Sequence, residues 1–225
     1  MFRMLSALAA ALAWVVIAPA IADAQGAGLG ADDVELADVL DIQLLGRDLY
    51  AHDGTGSGRT HIRLDLHETV LSQRAQGRIG LVLTDQRALA VSAGSSGWRE
   101  ERYRSTETRE DSGLLGERIA LVLTSQRALG FNAGSGTWIA ESLGPTEVIQ
   151  KTQVGPGTAV LITNRRAIGM SPNSGGFVDI AMRVHEELER VSTLSGVATV
   201  TTSQRVLIFQ GTNARWVVQR RKIHE

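Results

Sequence analysis

Two charged residue types recur at fixed intervals in this sequence, and the first chemistry they could perform is to hold an anion or to hold each other. The arginines are Arg47, Arg87, Arg127, Arg166 and Arg205, spaced 40, 40, 39 and 39 residues apart. A glutamate follows each by 21 or 20 residues: Glu68, Glu107, Glu147, Glu186 and Glu225. A guanidinium fork holds a carboxylate bidentately and still has donors left for turn carbonyls, so a structural pair is the favoured reading. The functional alternative is a set of five cations gripping an anionic ligand, which a matching glutamate in every copy would neutralise.

A second column is aromatic. Eleven residues after the last four arginines stand Trp98, Trp138, Phe177 and Trp216, with Gly58 at the corresponding place in the first copy. Beside them lie loops rich in glycine, serine and asparagine. Flat rings next to small polar residues suit a sugar, whose C–H face stacks on the ring while its hydroxyls meet amides and hydroxyls. The same repetition is how a packed layer repeats, and packing is favoured for the rings themselves. The candidate binding surface is then the ligand loops around Trp98, Trp138, Phe177 and Trp216, with Asn173, Asn213 and Arg215 making the copies inequivalent.

Three further sets of residues bear on chemistry. His67, His185 and His224 each precede the repeated glutamate, but equivalent points on neighbouring repeats stand about 10 Å apart, too far for one metal centre. No metal site and no cofactor is therefore expected. Asp41 and Gln43 in the first copy, and Thr199 and Thr201 in the last, interrupt an otherwise apolar strand pattern and form a polar seam. A glycan hydrolase there would need two carboxylates across the sugar bond, and Asp41 has no convincing partner. No GxSxG nucleophile elbow occurs; GSSGW and GSGTW are hairpin loops.

The elements that must position these residues are themselves repeated. LVLTDQRALAV, LVLTSQRALGF, VLITNRRAIGM and TVTTSQRVLIF surround the last four arginines, and IQLLGRDLYA is the divergent first copy. Each copy reads as four short strands: in the third, Thr108 to Leu114, Arg118 to Thr124, Arg127 to Asn132 and Trp138 to Leu143. A two-residue polar turn suits a hairpin between the second and third. Ile119 to Leu123 is apolar throughout, the pattern of a strand covered on both faces. Four-stranded units at a period near 40 with doubly buried strands resemble the blades of a β-propeller. The resemblance implies an all-β, five-bladed propeller of four-stranded antiparallel blades, without the tryptophan-aspartate signature of the WD40 type. Its repeats would run about 33–68, 69–107, 108–147, 148–186 and 187–225. A threonine, two residues, an arginine and an aliphatic also resemble the first hairpin of GRAM and bacterial PH-like domains, but repeats of this length leave no room for their C-terminal helix. The helix-like stretch Ala181 to Val191 is assigned by the repeat to a strand end, a linker and a strand start. Glu225 would close the ring beside Arg205 or Arg47.

The start of the chain reads as a secretory signal at 1–24: Arg3, an apolar run from Leu5 to Ile21, then Ala22-Asp23-Ala24. A flexible lead at 25–32 would follow, then the propeller domain at 33–225. The 225 residues contain no cysteine, and 23 basic against 24 acidic residues leave no basic block for nucleic acid. After signal removal no apolar run is long enough to span a bilayer. These observations predict an exported protein, periplasmic or secreted, monomeric, and a non-catalytic binding module for a ligand or protein. A glycan or an envelope protein is the expected partner. The alternatives are a glycan-acting hydrolase near Asp41 and a structural envelope scaffold.

Overall fold

The computed structural model of the chain describes residues 38–56, 58–109 and 113–221. The first sheet pairs β1 (Leu40–Leu45), β2 (Asp48–Asp53) and β3 (Gly58–Arg63) in that order. The second contains β4 (Val70–Gln76), β5 (Ile79–Thr84), β6 (Arg87–Ser92) and β7 (Arg99–Arg102). The third contains β8 (Leu114–Leu115), β9 (Ile119–Leu123), β10 (Arg127–Asn132) and β11 (Thr137–Ser142). The fourth is built from β12 (Ile149–Val154), β13 (Ala159–Thr163), β14 (Arg166–Met170) and β15 (Val178–Ala181). The fifth comprises β16 (Leu188–Thr193), β17 (Val197–Thr202), β18 (Arg205–Gln210) and β19 (Arg215–Arg220). Every pairing is between chain neighbours and antiparallel, so each sheet is an up-and-down meander. These are the blades of a five-bladed, all-β propeller. The expected four strands are present in the last four blades, and the first has three among the described residues. The stretch at 181–191 is β15, a turn and β16, because pairing within the sheets overrides local helix propensity.

Blades pack face to face through residues that alternate along the two central strands. Leu81, Leu83, Ala88 and Ala90 of the second blade meet Ala120, Val122, Leu129 and Phe131 of the third. Val160, Ile162 and Ala167 of the fourth meet Ala198, Val200, Leu207 and Phe209 of the fifth. Each blade thus has an upstream face, turned to the blade before it, and a downstream face. Large and small residues are matched across the contact: a side chain at Gly169 would stand 2.6 Å from the Phe209 ring. Strands β5, β6, β9, β10 and β13 are buried along their whole length, as their mainly apolar sequences require, and the arginines and threonines at their ends are buried with them.

The end blades differ. In β17 and β18 burial alternates: Ala198, Val200, Leu207 and Phe209 are fully buried on the upstream face, while Thr199, Thr201, Val206 and Ile208 are only half-buried on the downstream face. In the first blade Leu40, Ile42, Leu49 and Ala51 pack downstream on Val82, Leu89 and Val91, and Asp41 and Gln43 are exposed upstream. The polar seam is therefore two separate, uncovered faces.

The first copy also shifts by one residue against the arginine spacing. Leu45 pairs with Asp48 around the two-residue turn Gly46-Arg47, with Gly46 at φ +64°. In the second blade the corresponding turn is Asp85-Gln86, and Arg87 pairs with Arg102 as Asp48 pairs with Arg63. Asp48, not Arg47, is thus the counterpart of Arg87. The shift carries Asp41 and Gln43 to the face opposite Leu81 and Leu83.

Candidate functional site

At the end of the blades where β5 turns into β6, the two charged columns meet. Arg87 donates from Nε to Glu68 Oε1 and from Nη2 to Oε2, both at 2.8 Å. Arg205 and Glu186 repeat this bidentate pair at 2.8 Å in both bonds. Arg127 and Glu107 form it at 2.5 and 2.8 Å, and Arg166 and Glu147 at 2.8 and 3.2 Å. Each glutamate closes the linker turn in which it stands by accepting the backbone N–H three residues earlier: Asp65, Arg104, Gly144 and Arg183. The remaining donors of each arginine reach the preceding blade. Arg127 bonds Glu101 and the carbonyl of Arg102, Arg166 bonds Glu141 and the carbonyl of Ser142, and Arg205 bonds the carbonyl of Ala181. Arg87 also pairs with Glu100 of its own outer strand.

The threonine of the turn completes this assembly, a role the sequence reading did not give it. The hydroxyls of Thr84, Thr163 and Thr202 donate to the same glutamates at 2.7–2.8 Å. They also accept the N–H of the arginine. The signal was available, since a threonine stands three residues before Arg87, Arg127, Arg166 and Arg205 and a leucine before Arg47.

The carboxylates are inside the protein: the side chains of Glu68, Glu107 and Glu186 have no exposed surface and that of Glu147 has 3%. Burial alone would raise their pKa. The bonds from arginine, backbone and, for Glu68, Glu147 and Glu186, threonine outweigh it, so all four lie below the ordinary carboxylate value, Glu186 at about 2. The bonds to their glutamates raise Arg87, Arg127 and Arg166 in turn. None of the four recurrent arginines at this end is left without a carboxylate partner. Arg47 is not part of it: its Nε and Nη2 donate to the carbonyl of Leu64 in its own blade, because the register shift makes it a turn residue. Glu225 and His224 lie outside the described residues.

The aromatic column lies on the upstream faces and holds the outer edges of the blades. The indole N–H of Trp138 donates to the carbonyl of Arg99 at 3.1 Å, and that of Trp216 to the carbonyl of Val178 at 2.9 Å. Their rings tilt against Phe131 and Phe209. Trp98, 8% exposed, packs into the core between the first two blades, and Phe177 abuts Gly130 of the third. In the first blade Arg59, which pairs with His52 as Trp138 pairs with Phe131, takes this place and lies over the Tyr50 ring at 4.5 Å. Through these contacts the rings join neighbouring blades, with Trp138, Phe177 and Trp216 half-buried.

At the opposite end of the same strands, the loops diverge. Asn132 Nδ2 donates to the carbonyl of Pro172, tying the third loop to the fourth, and Ser171 Oγ donates to the carbonyl of Gly211, tying the fourth to the fifth. Ser92 occupies the same position in the second blade, five residues after the column arginine. Its hydroxyl makes no such tie among the described residues. Between the second and third loops there is instead an open cavity of about 670 Å³. Its wall carries Arg78, Arg99 and Arg118, the hydroxyl residues Ser92, Ser96 and Ser135, and the loop glycines Gly94, Gly134 and Gly136, and it has no carboxylate. Arg78 is oriented by one bond, from Nη2 to the carbonyl of Ala93 at 3.0 Å. Asp53 of the first blade holds the N–H of Gly94 at 2.6 Å from outside the cavity lining. Asn173 and Asn213 stand in the fourth and fifth loops, away from this cavity.

The uncovered upstream face of the first blade carries a different cluster. His61 Nε2 lies 2.8 Å from Asp48, its ring stacks on Tyr50, and Asp41 faces His52 and then Arg59 across the strands. The second acid on this face, Asp48, is engaged by His61 and Arg63. His67 and His185 sit in linker turns, and no group of three metal-ligating side chains is found among the described residues. No helix among them is long and apolar enough to cross a membrane.

No protein-family model matches the chain, and no curated protein matches it. Among solved structures it is similar to yeast RCC1 (Prp20) in its complex with Kap60, at 7% identity and a TM-score of 0.41, over 77% of this chain and 54% of that one. It is also similar to YCF48 bound to a D1 peptide (15% identity, TM-score 0.33, 83% of this chain and 69% of that one). AztD from Citrobacter koseri is a third (11% identity, TM-score 0.39, 79% and 58%). The chain spans little more than half the length of the first of these.

Proposed function

We propose that this protein is an exported binding module that takes its ligand in the cavity between the second and third loops, with carbohydrate as the class of small ligand. One observation carries the reading: among the described residues, the junction of the second and third blades lacks the side-chain loop tie made at the next two junctions, and a cavity of about 670 Å³ stands there, within the usual range for ligand sites. Its lining of hydroxyls, guanidiniums and loop amides is suited to the hydroxyl-rich surface of a sugar. Export rests on the signal-like pattern at 1–24. The reading is tested by calorimetric titration of the secreted chain with a panel of soluble glycans, alongside tryptophan emission. Saturable heat with a shift from Trp98 or Trp138, which adjoin the two loops, supports it; a flat response across the panel counts against it.

The uncovered downstream face of the fifth blade favours a second reading, a protein partner or envelope scaffold. Thr199, Thr201, Val206 and Ile208 there are half-buried, whereas their counterparts in earlier blades are fully covered. Replacing Val206 and Ile208 with lysine would abolish such an association and leave glycan titration unchanged.

A further inference from the structure

Three arginines around one cavity with no carboxylate among them are an unusual expenditure in a scaffold that pairs its other recurrent arginines so completely. The repeat itself shows that the fold does not require them. Arg78 and Arg118 occupy the residue whose carbonyl accepts the loop N–H of Ala93 and Ala133, and the same bond is made by Val39 in the first blade and Gly196 in the fifth. Arg99, opposite Ala90, stands where the other blades carry Thr60, Ile139, Val178 and Val217. Valine, glycine, threonine and isoleucine thus serve the backbone equally well at these places. The arginines are gathered only where the loops part.

We propose that this cavity binds an oxyanion, a carboxylate, sulfate or phosphate ester carried by the ligand. The inference rests on the reading of the cavity as the ligand site and adds the charge of what it takes. Each guanidinium presents five N–H donors in a plane, of which Arg78 uses one on Ala93, and neither Arg99 nor Arg118 has a side-chain bond or ion pair among the described residues. A guanidinium fork matches the paired oxygens of a carboxylate, sulfate or phosphate bidentately. The hydroxyls of Ser92 and Ser96, also without bonds among the described residues, add neutral donors beside them. Three like charges around one cavity repel each other, and a bound anion relieves that repulsion.

The test uses matched ligands that differ only in charge: oligogalacturonate against its methyl ester, dextran sulfate against dextran, and inorganic phosphate alone, each titrated into the full chain at low and high salt. The acidic member of a pair should bind, more weakly at high salt, while its neutral twin does not. Arg78→Gln with Arg118→Gln should lower that affinity at least tenfold with the unfolding temperature unchanged, and Arg99→Gln alone should lower it less. Phosphate binding without either glycan would support the oxyanion and overturn the carbohydrate class. Equal binding of acidic and neutral twins, indifferent to the arginine substitutions, would overturn the oxyanion while the ligand site stands. No binding by any probe overturns both.

Discussion

The two ends of these blades use the same side chain in opposite ways. Where the second and third strands of a blade join, every recurrent arginine from Arg87 onward meets a buried glutamate bidentately and spends its other donors on neighbouring acids or the carbonyls of the preceding blade. At the loop end, Arg78, Arg99 and Arg118 surround a cavity without a carboxylate in its wall. Satisfied guanidiniums repeat with the fold; Arg78, Arg99 and Arg118 gather at one junction. The difference separates what holds the blades from what they present to the outside, and it can be broken experimentally from either end.

The largest effect is expected from removing one half of a buried pair. Glu186→Ala leaves Arg205 buried and uncompensated and opens the linker turn closed on Arg183, so stability should fall by about 3–5 kcal/mol. Denaturant unfolding measures it, and a loss under about 1 kcal/mol would mean the pairs are ornaments on a blade held by its core. Arg166→Lys keeps the charge but forfeits the fork, so it should cost less, about 1–3 kcal/mol.

Acid should find the same end of the molecule. The four carboxyls have lower pKa values folded than unfolded, so the stability they contribute is complete above the unfolded value near 4.5 and is lost as pH falls toward about 2, where Glu186 takes up its proton. Thermal unfolding from pH 6 to pH 2 should show a steep decline below about 4.5, flattened in Glu186→Gln. A constant unfolding temperature through that window would contradict the assignment.

Trp216→Phe keeps most of the ring contact with Phe209 and removes only the bond to Val178, so about 0.5–1.5 kcal/mol should be lost. At the other end, Arg78→Gln with Arg118→Gln should leave stability within about 0.5 kcal/mol of the parent chain, since the fold accepts other residues at those places. Strong destabilisation there would erase the distinction between the two ends.

What could be read in advance followed from repetition. Doubly buried strands announced themselves as unbroken apolar runs, and the pairing of Arg127 with Glu107 followed from two columns in step. The first copy misled because spacing and register are different quantities: Arg47 stands at the right interval but inside the turn, so Asp48 takes its structural place. The acids that meet Arg127 and Arg166 were harder to read, because Glu101 and Glu141 share a repeat position that carries Ile180 and Gln219 in the later copies. The cavity was hidden for a similar reason. Arg78 and Arg118 share a repeat position in two copies only, and alignment with Val39 and Gly196 marks them as departures.

The grip between blades has a direction. Arg127, Arg166 and Arg205, with Trp138 and Trp216, all reach back to the outer strand of the blade before them, and in the first of the described blades Asp48 and Arg59 replace these types. A blade leaving the ribosome therefore finds this docking surface already made and carries the matching fasteners with it. At this end assembly can keep pace with the growing chain, each unit locking onto finished work, while the loop ties of Asn132 and Ser171 wait for the blade that follows.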